Sequence, residues 1–249
     1  MNETLKTINN RVSLRWYDKK KISADHMDKI IESAINAPTA GNMVLYSIIH
    51  IQNEETMAKL AVSCDDQPFI KGASDILIFV ADFKKWNDYF KDEGMYKEGN
   101  RKIGKAEMIL AFEDAMIASE NAVIAGESLN IGSCYIGDIL ENCEYHKELL
   151  NLPEYTIPIG MLTFGYYPED YKRIKRKRFD KEFVVFKEMY KKLDKEEIKT
   201  MFKLKEDEFN SKESNKGKRF VEAFYNRKTN SDFMENFETS IDQWFKNWK

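Results

Sequence analysis

Three cysteines and three histidines in 249 residues are too few and too scattered to carry much chemistry on their own. Cys64, Cys134 and Cys143 form no CxxC pair and stand in apolar or helical surroundings, which reads as reduced structural thiols and excludes a disulfide framework. His26, His50 and His146 lie far apart with no acids or cysteines clustered beside them, so no dedicated metal site is expected. Prolines number 5 and glycines 11, and no Pro/Gly/Ser-rich tract divides the chain as a linker would. No run of roughly 18 apolar residues occurs, and the opening MNETLKTINNRVSLRW has no apolar signal core. The expectation is a soluble, cytoplasmic protein with no membrane partner. Neither sign of charge dominates: 39 Lys and Arg face 42 Asp and Glu for a net charge of -3, so bulk charge points to no nucleic acid.

What is present begins with the stretch from Met108 to Asp138. Ala115, Ala118, Ala122, Ala125 and Leu129 recur at helical spacing, and Phe112, Met116, Ser119, Val123 and Gly126 do so one position round. Two adjacent apolar stripes predict a central helix covered on most sides, with Glu113, Glu120 and Glu127 as a thin acidic line. The alanine ridge fits either an ordinary core helix or one shared with a dimer interface. Gly132 is expected to end it as a left-handed C′ residue, with a strand over Cys134 to Ile136 and a Gly137-Asp138 turn following.

Near the N-terminus, Arg11, Ser13 and Arg15 alternate with apolar residues. In extended backbone all three project the same way, and two guanidiniums with a hydroxyl are the chemistry that an anionic oxygen cluster needs. Ser23 caps a predicted helix carrying Met27, Ile30, Ile31, Ala34 and Ile35 on one face, and Pro38 stops it. A small-residue loop, Pro38 to Met43, leads to a strand over 47–52 and a short helix over 54–62. The apolar run 76–81 predicts an internal strand. Residues 84–105, aromatic and charged together, predict either a surface helix and loop or a lid. A helix over 139–150 and a strand over 159–164 precede Lys172 to Arg178, six basic residues in seven, which reads as a solvated face, a nucleic-acid contact or a phosphate-neutralising loop. Ser231 caps a final helix with Phe233, Phe237, Ile241, Trp244, Phe245 and Trp248 on one side, expected to pack on protein.

Arg11-x-Ser13-x-Arg15, Ala37-Pro38-Thr39-x-x-Asn42, Gln67, AVIAGESLNIGSCYIG over Ala122 to Gly137, Leu152-Pro153, Pro158, Phe164-Gly165-Tyr166, the basic run and Phe183 to Phe186 together resemble the FMN-dependent nitroreductase family, in its NAD(P)H-dependent nitro and flavin reductase branch. The resemblance covers roughly residues 8–190. It implies an α+β fold, a central mixed β-sheet flanked by helices around a long buried helix, assembled as a homodimer. Residues 1–190 would form the FMN-binding domain, and 191–249 a helical extension packing on that domain or on the partner subunit. It implies that Arg11, Ser13 and Arg15 line the FMN phosphate, ribityl chain and pyrimidine edge. Thr39 and Asn42 would approach the flavin from the other subunit, Gln67 would hydrogen-bond ring or ribityl, Tyr135-Ile136-Gly137 would cover the ring through backbone groups, and Arg176 with Arg178, or Lys175 with Lys177, would hold the phosphate. The implied reaction is ping-pong transfer of two electrons from NADPH or NADH through flavin N5 to a small flat acceptor: a nitroaromatic, a quinone or free flavin. No side chain need act as catalyst, Arg15 giving electrostatic support. The rival expectations are a specialised dehalogenase of the same fold with 84–105 as its lid, and a non-enzymatic nucleic-acid-binding protein using residues 172–178.

Overall fold

A computed structural model describes residues 1–248. The chain divides into two compact units, residues 1–174 with 237–249, and residues 175–236.

The first unit is built on a four-stranded antiparallel sheet: β1 (Tyr46–Ile51), β2 (Asp75–Asp82), β3 (Ile131–Ile136) and β4 (Thr156–Tyr166), in the order β1-β2-β4-β3. The mixture expected in the sheet reduces to one parallel bridge, Ser13 to Ser133, outside the four strands. All eight residues of β2 are buried, as its uninterrupted apolar run requires. Because side chains alternate across a strand, Ile76, Ile78 and Val80 enter one core while Leu77 and Phe79 enter the other.

The helix α1 (Glu3–Asn10) precedes the Arg11 segment, and α2 (Ala24–Ile35), capped by the Ser23 hydroxyl, buries Met27, Ile30 and Ala34 against the second face. Ile35, expected on that buried face, is exposed. The helix α3 (Glu54–Ser63) places Met57 and Leu60 in the first core. Residues 84–105 form α4 (Lys84–Asp92) and an exposed loop.

The long helix α5 (Lys105–Ser128) reaches both cores, Met108 and Ala111 in the first and Ala115, Ala118, Ala122 and Val123 in the second. Two expectations about it are corrected. The helix stops at Ser128, and the left-handed residue after it is Asn130 (φ 58°), not Gly132, which lies inside β3. Glycine is needed at 132 for space: a Cβ there would stand 2.6 Å from Leu14 Cδ2 and 2.8 Å from Tyr167 Cζ. Nor do the glutamates form a solvent line, since Glu127 is buried while Glu113 and Glu120 are exposed. The helix also leaves Ile109, Leu110, Met116 and Ile117 exposed, so it is less covered than its stripes predict.

The helix expected over 139–150 is a 3-10 turn, Gly137–Leu140, followed by α6 (Cys143–Leu149). Past β4, the second unit carries α7 (Lys195–Asn210) and α8 (Phe220–Lys228). The last helix is α9 (Asp232–Lys246). Its portion within the first unit buries Ser240 and Trp244, and Trp244 Nε1 donates to Leu140 O at 3.0 Å. None of the described helices is long and apolar enough to cross a membrane.

Candidate functional site

The Arg11–Arg15 segment lies against the outer side of the edge strand β3. Leu14 N donates to Ser133 O at 2.9 Å, and Tyr17 Oη donates to Leu14 O at 3.0 Å. Tyr17 in turn packs where a Cβ on Gly165 would fall 2.5 Å from its ring, so that glycine makes room for the residue that pins the segment. Val12 and Leu14 are buried, Ser13 and Arg15 are exposed, and Arg11 is half-buried. The alternation expected of this segment is present. No further strand pairs along β3 beyond the Ser13–Ser133 bridge among the described residues, which leaves Tyr135, Ile136 and Gly137 on an open edge.

Two side-chain polar atoms among the described residues are buried without a hydrogen-bond partner, Arg11 Nε and Ser133 Oγ, and both belong to this pair of segments. Burial raises the pKa of the Cys134 thiol, against the opposing charges of Arg15 and Arg11. Burial likewise raises that of Tyr135, whose hydroxyl meets Ser119 Oγ at 2.8 Å. Both groups therefore stay protonated at neutral pH, so Cys134 is no thiolate nucleophile. The Arg15 guanidinium lies 5.9 Å from the centre of the Phe69 ring. Gln67, on the turn after α3, donates from Nε2 to Cys64 O at 2.8 Å and to Asp138 Oδ2 at 2.9 Å, which ties it to the turn that Gly137 opens. A Cβ on Gly137 would meet nothing within 4 Å.

The structure thus brings Arg11, Ser13 and Arg15 alongside the β3 edge carrying Tyr135, Ile136 and Gly137, and links Gln67 to the end of that edge. It does not bring Thr39 or Asn42 to them: no hydrogen bond or ion pair among the described residues connects that loop to the segment. The loop is instead anchored on α5, where Asp114, almost fully buried, accepts from Ala40 N at 2.8 Å and Leu45 N at 3.1 Å. Asn42 has φ 58° and is exposed. Arg176 and Arg178 belong to the second unit, where Arg176 pairs with Glu208 at 3.2 Å and Arg178 donates to Arg176 O at 3.2 Å.

Nothing in the basic run singles out Arg173, which the structure places apart from its neighbours. Its guanidinium stacks 3.9 Å from the centre of the Tyr167 ring and donates to Glu127 Oε2 at 2.8 Å, and more weakly to Asn10 O and Asn130 Oδ1 at 3.3 Å each. It therefore fastens the end of α1, the point from which the Arg11 segment departs. The only signal available in the sequence was Glu127 standing in an otherwise apolar stretch with no local cation.

Comparison with known proteins bears on the family and the fold. The chain matches the Nitroreductase family over residues 8–166, which holds β1 to β4 and the Arg11 segment. It is 28% identical over 246 residues to a Bacillus subtilis (strain 168) protein named FMN reductase, NAD(P)H, covering 99% of this chain and 92% of that one. It is 32% identical over 159 residues to the CR(VI) reductase of Pseudomonas sp. (strain G-1), covering 64% of each. Among solved structures, B. megaterium NfrA2 superposes with a TM-score of 0.80 at 29% identity, covering 96% of this chain and 98% of that one. With a match spanning well over half of its length and the whole sheet, this chain belongs to the nitroreductase family.

Proposed function

We propose that this protein is an FMN-dependent oxidoreductase that passes two electrons from NADH or NADPH to a small flat acceptor, such as a nitroaromatic, a quinone or free flavin, and that it works as a homodimer. The observation that carries the reading is the pair of buried polar atoms without partners, Arg11 Nε and Ser133 Oγ. An unsatisfied buried donor costs about 1–3 kcal/mol, so two of them at one strand pair fit a ligand rich in oxygen. Arg11, Ser13 and Arg15 supply the donors for a phosphate and for an electron-rich ring edge. The open flank of Gly137 fits a planar group.

When bound, FMN supplies hydride and electron transfer chemistry, taking two electrons from NAD(P)H and returning them to an acceptor in a second half-reaction. The residues bind and orient. Arg15, whose guanidinium stands 5.9 Å from the centre of the Phe69 ring, offers positive charge to a cofactor that becomes anionic on reduction. Cys134 and Tyr135, their pKa values raised by burial, hold their protons at neutral pH.

The exposed Ile109, Leu110, Met116 and Ile117 of α5 support assembly with a second copy, because contiguous apolar surface on a helix seeks cover. In that assembly Thr39 and Asn42, which no hydrogen bond or ion pair among the described residues joins to the Arg11–Arg15 segment, would serve the partner's site. The test is the visible spectrum of the purified protein, before and after anaerobic NADH and then NADPH. Flavin bands that bleach are the expected result; a protein that stays colourless after incubation with FMN overturns the reading. Arg15→Ala is expected to weaken FMN retention and slow turnover, and unchanged flavin content and rate would remove Arg15 from the site.

A further inference from the structure

The carboxamide of Gln67 has one end already committed. A primary amide carries two hydrogens on nitrogen and two lone pairs on oxygen. Both hydrogens of Gln67 are engaged, one by Cys64 O at 2.8 Å and one by Asp138 Oδ2 at 2.9 Å. A peptide carbonyl and a carboxylate have no hydrogen to give, so these two partners fix which end of the amide is nitrogen by chemistry alone. The remaining atom is Oε1, and no donor among the described residues reaches it. The backbone of the same residue is also fixed, its N–H donating to Ala61 O at 2.7 Å and its C=O accepting from Ile70 N at 3.1 Å.

We infer that Asp138 is a positioning residue which, with Cys64 O, holds Gln67 so that it meets the bound cofactor only as a hydrogen-bond acceptor. The inference rests on the FMN reading above and narrows it. The atom of the flavin that faces Gln67 must carry a hydrogen, so it is a ribityl hydroxyl or the ring N3–H and not a carbonyl oxygen or a bare ring nitrogen. Both of those groups keep their hydrogen whether the flavin is oxidised or reduced. An acceptor with no charge of its own discriminates little between the two redox states, so Gln67 tightens the cofactor far more than it moves its potential. Donors at the site, Arg15 above all, do the opposite and favour the reduced anion. The site divides into a residue that retains the cofactor and a residue that tunes it, and Asp138 sets which of these Gln67 is.

The experiment compares Asp138→Asn with Asp138→Leu. Both remove the charge, but only asparagine keeps an acceptor oxygen for Gln67 Nε2, so the difference between them reads the hydrogen bond. FMN dissociation constants are measured by flavin fluorescence on apoprotein, with thermal melts to confirm folding, and midpoint potentials are measured on the loaded proteins. Asp138→Asn is expected to bind FMN within about twofold of the parent and Asp138→Leu about three- to tenfold more weakly, the span of one neutral hydrogen bond. The two should share one midpoint potential. Gln67→Leu should weaken binding to the same degree, and adding Asp138→Leu to it should cost nothing more, because residues acting through one contact are not additive. Should Asp138→Leu not fold, Asp138→Ala takes its place in the same cycle. Equal affinities for the Asn and Leu variants, full additivity in the cycle, or a potential that differs between them would each overturn the inference. If the parent protein itself takes up no FMN, it is the cofactor reading that fails, and the two failures are told apart by that control.

Discussion

Replacing Arg173 with alanine isolates the contact that ties the candidate site to the long helix. The Glu127 side chain is only 2% exposed and that of Arg173 is 31% exposed, so the ion pair lies at the edge of the protein with its anion inside. Removing one partner of a buried pair leaves the other uncompensated and costs about 3–5 kcal/mol. Here Tyr167 Oη still donates to Glu127 Oε1, and burial together with Glu127 raises the pKa of that tyrosine so that it keeps its proton. The loss should therefore fall at the lower end, about 3 kcal/mol, including the stacking of the guanidinium on the Tyr167 ring. For a chain of this size that is a fall in Tm of roughly 6–12 °C. Thermal melts followed by circular dichroism check the value. Arg173→Ala with Glu127→Gln should recover at least half of the loss, because a neutral amide can be buried against the tyrosine hydroxyl, whereas Arg173→Lys should sit between parent and alanine for want of the planar fork. A melting point within about 2 °C of the parent for Arg173→Ala would refute the reasoning, since Glu127 would then have another source of compensation.

Three further outcomes are expected. Gly132→Ala should destabilise by about 1–3 kcal/mol, because its Cβ would meet Leu14 and Tyr167 at 2.6–2.9 Å and force a shift in the core; a chemical melt of the variant measures it. Gly137→Val adds a side chain where nothing stands within 4 Å, so it should leave the apoprotein's Tm within about 2 °C and still weaken FMN uptake, a combination that only a ligand-facing position gives. Glu141 has its pKa raised to about 7 by burial and by the carboxylates of Asp138 and Asp65. The folded chain then binds more protons than the unfolded one between the ordinary glutamate value and about 7, so stability falls as pH rises through that window and stays reduced above it. Relative to the parent, Glu141→Gln should gain melting temperature between pH 5 and pH 8, and a constant difference across that range would contradict the assignment.

Much of the frame was legible because it follows from periodicity and local chemistry. The run Ile76 to Ala81 reads as an internal strand since nothing in it is polar, and β2 is indeed buried from end to end. Ser23 and Pro38 bracket α2 by capping and by steric exclusion of the helix before proline. What failed locally was a choice between two equivalent signals. Asn130 and Gly132 both suit the end of a helix, and only the packing of Leu14, more than a hundred residues earlier, decides that the glycine is there for space and the asparagine for conformation. Asp114 and Glu127 were illegible for the same reason. A single acid in an apolar helix reads as a polar stripe until its partners are known, and those partners are the amides of Ala40 and Leu45 for one, and Arg173 for the other. At the site, alternation assigned Arg11, Ser13 and Arg15 to one face, but no pattern in the sequence could place Gln67 against Asp138.

Asp114, Glu127 and Asp138 share one arrangement. Each belongs to the frame of α5 or the turn after β3, and each grips a segment outside the α-helices and the sheet. Asp114 takes the backbone amides of Ala40 and Leu45, Glu127 takes the arginine that holds Asn10, and Asp138 takes the amide of Gln67. Loops carry the candidate contacts, yet loops left to themselves are mobile, and misplacing a binding group by an ångström loses much of its effect. Hydrogen bonds to a charged acceptor are stronger than neutral ones, worth about 1.5–3 kcal/mol, and a carboxylate held on a rigid element fixes its partner's position as well as stabilising it. The three acids therefore act as mounts. Their removal should blur the site before it unfolds the sheet, because β2 and β4 draw their stability from apolar burial that none of the three touches.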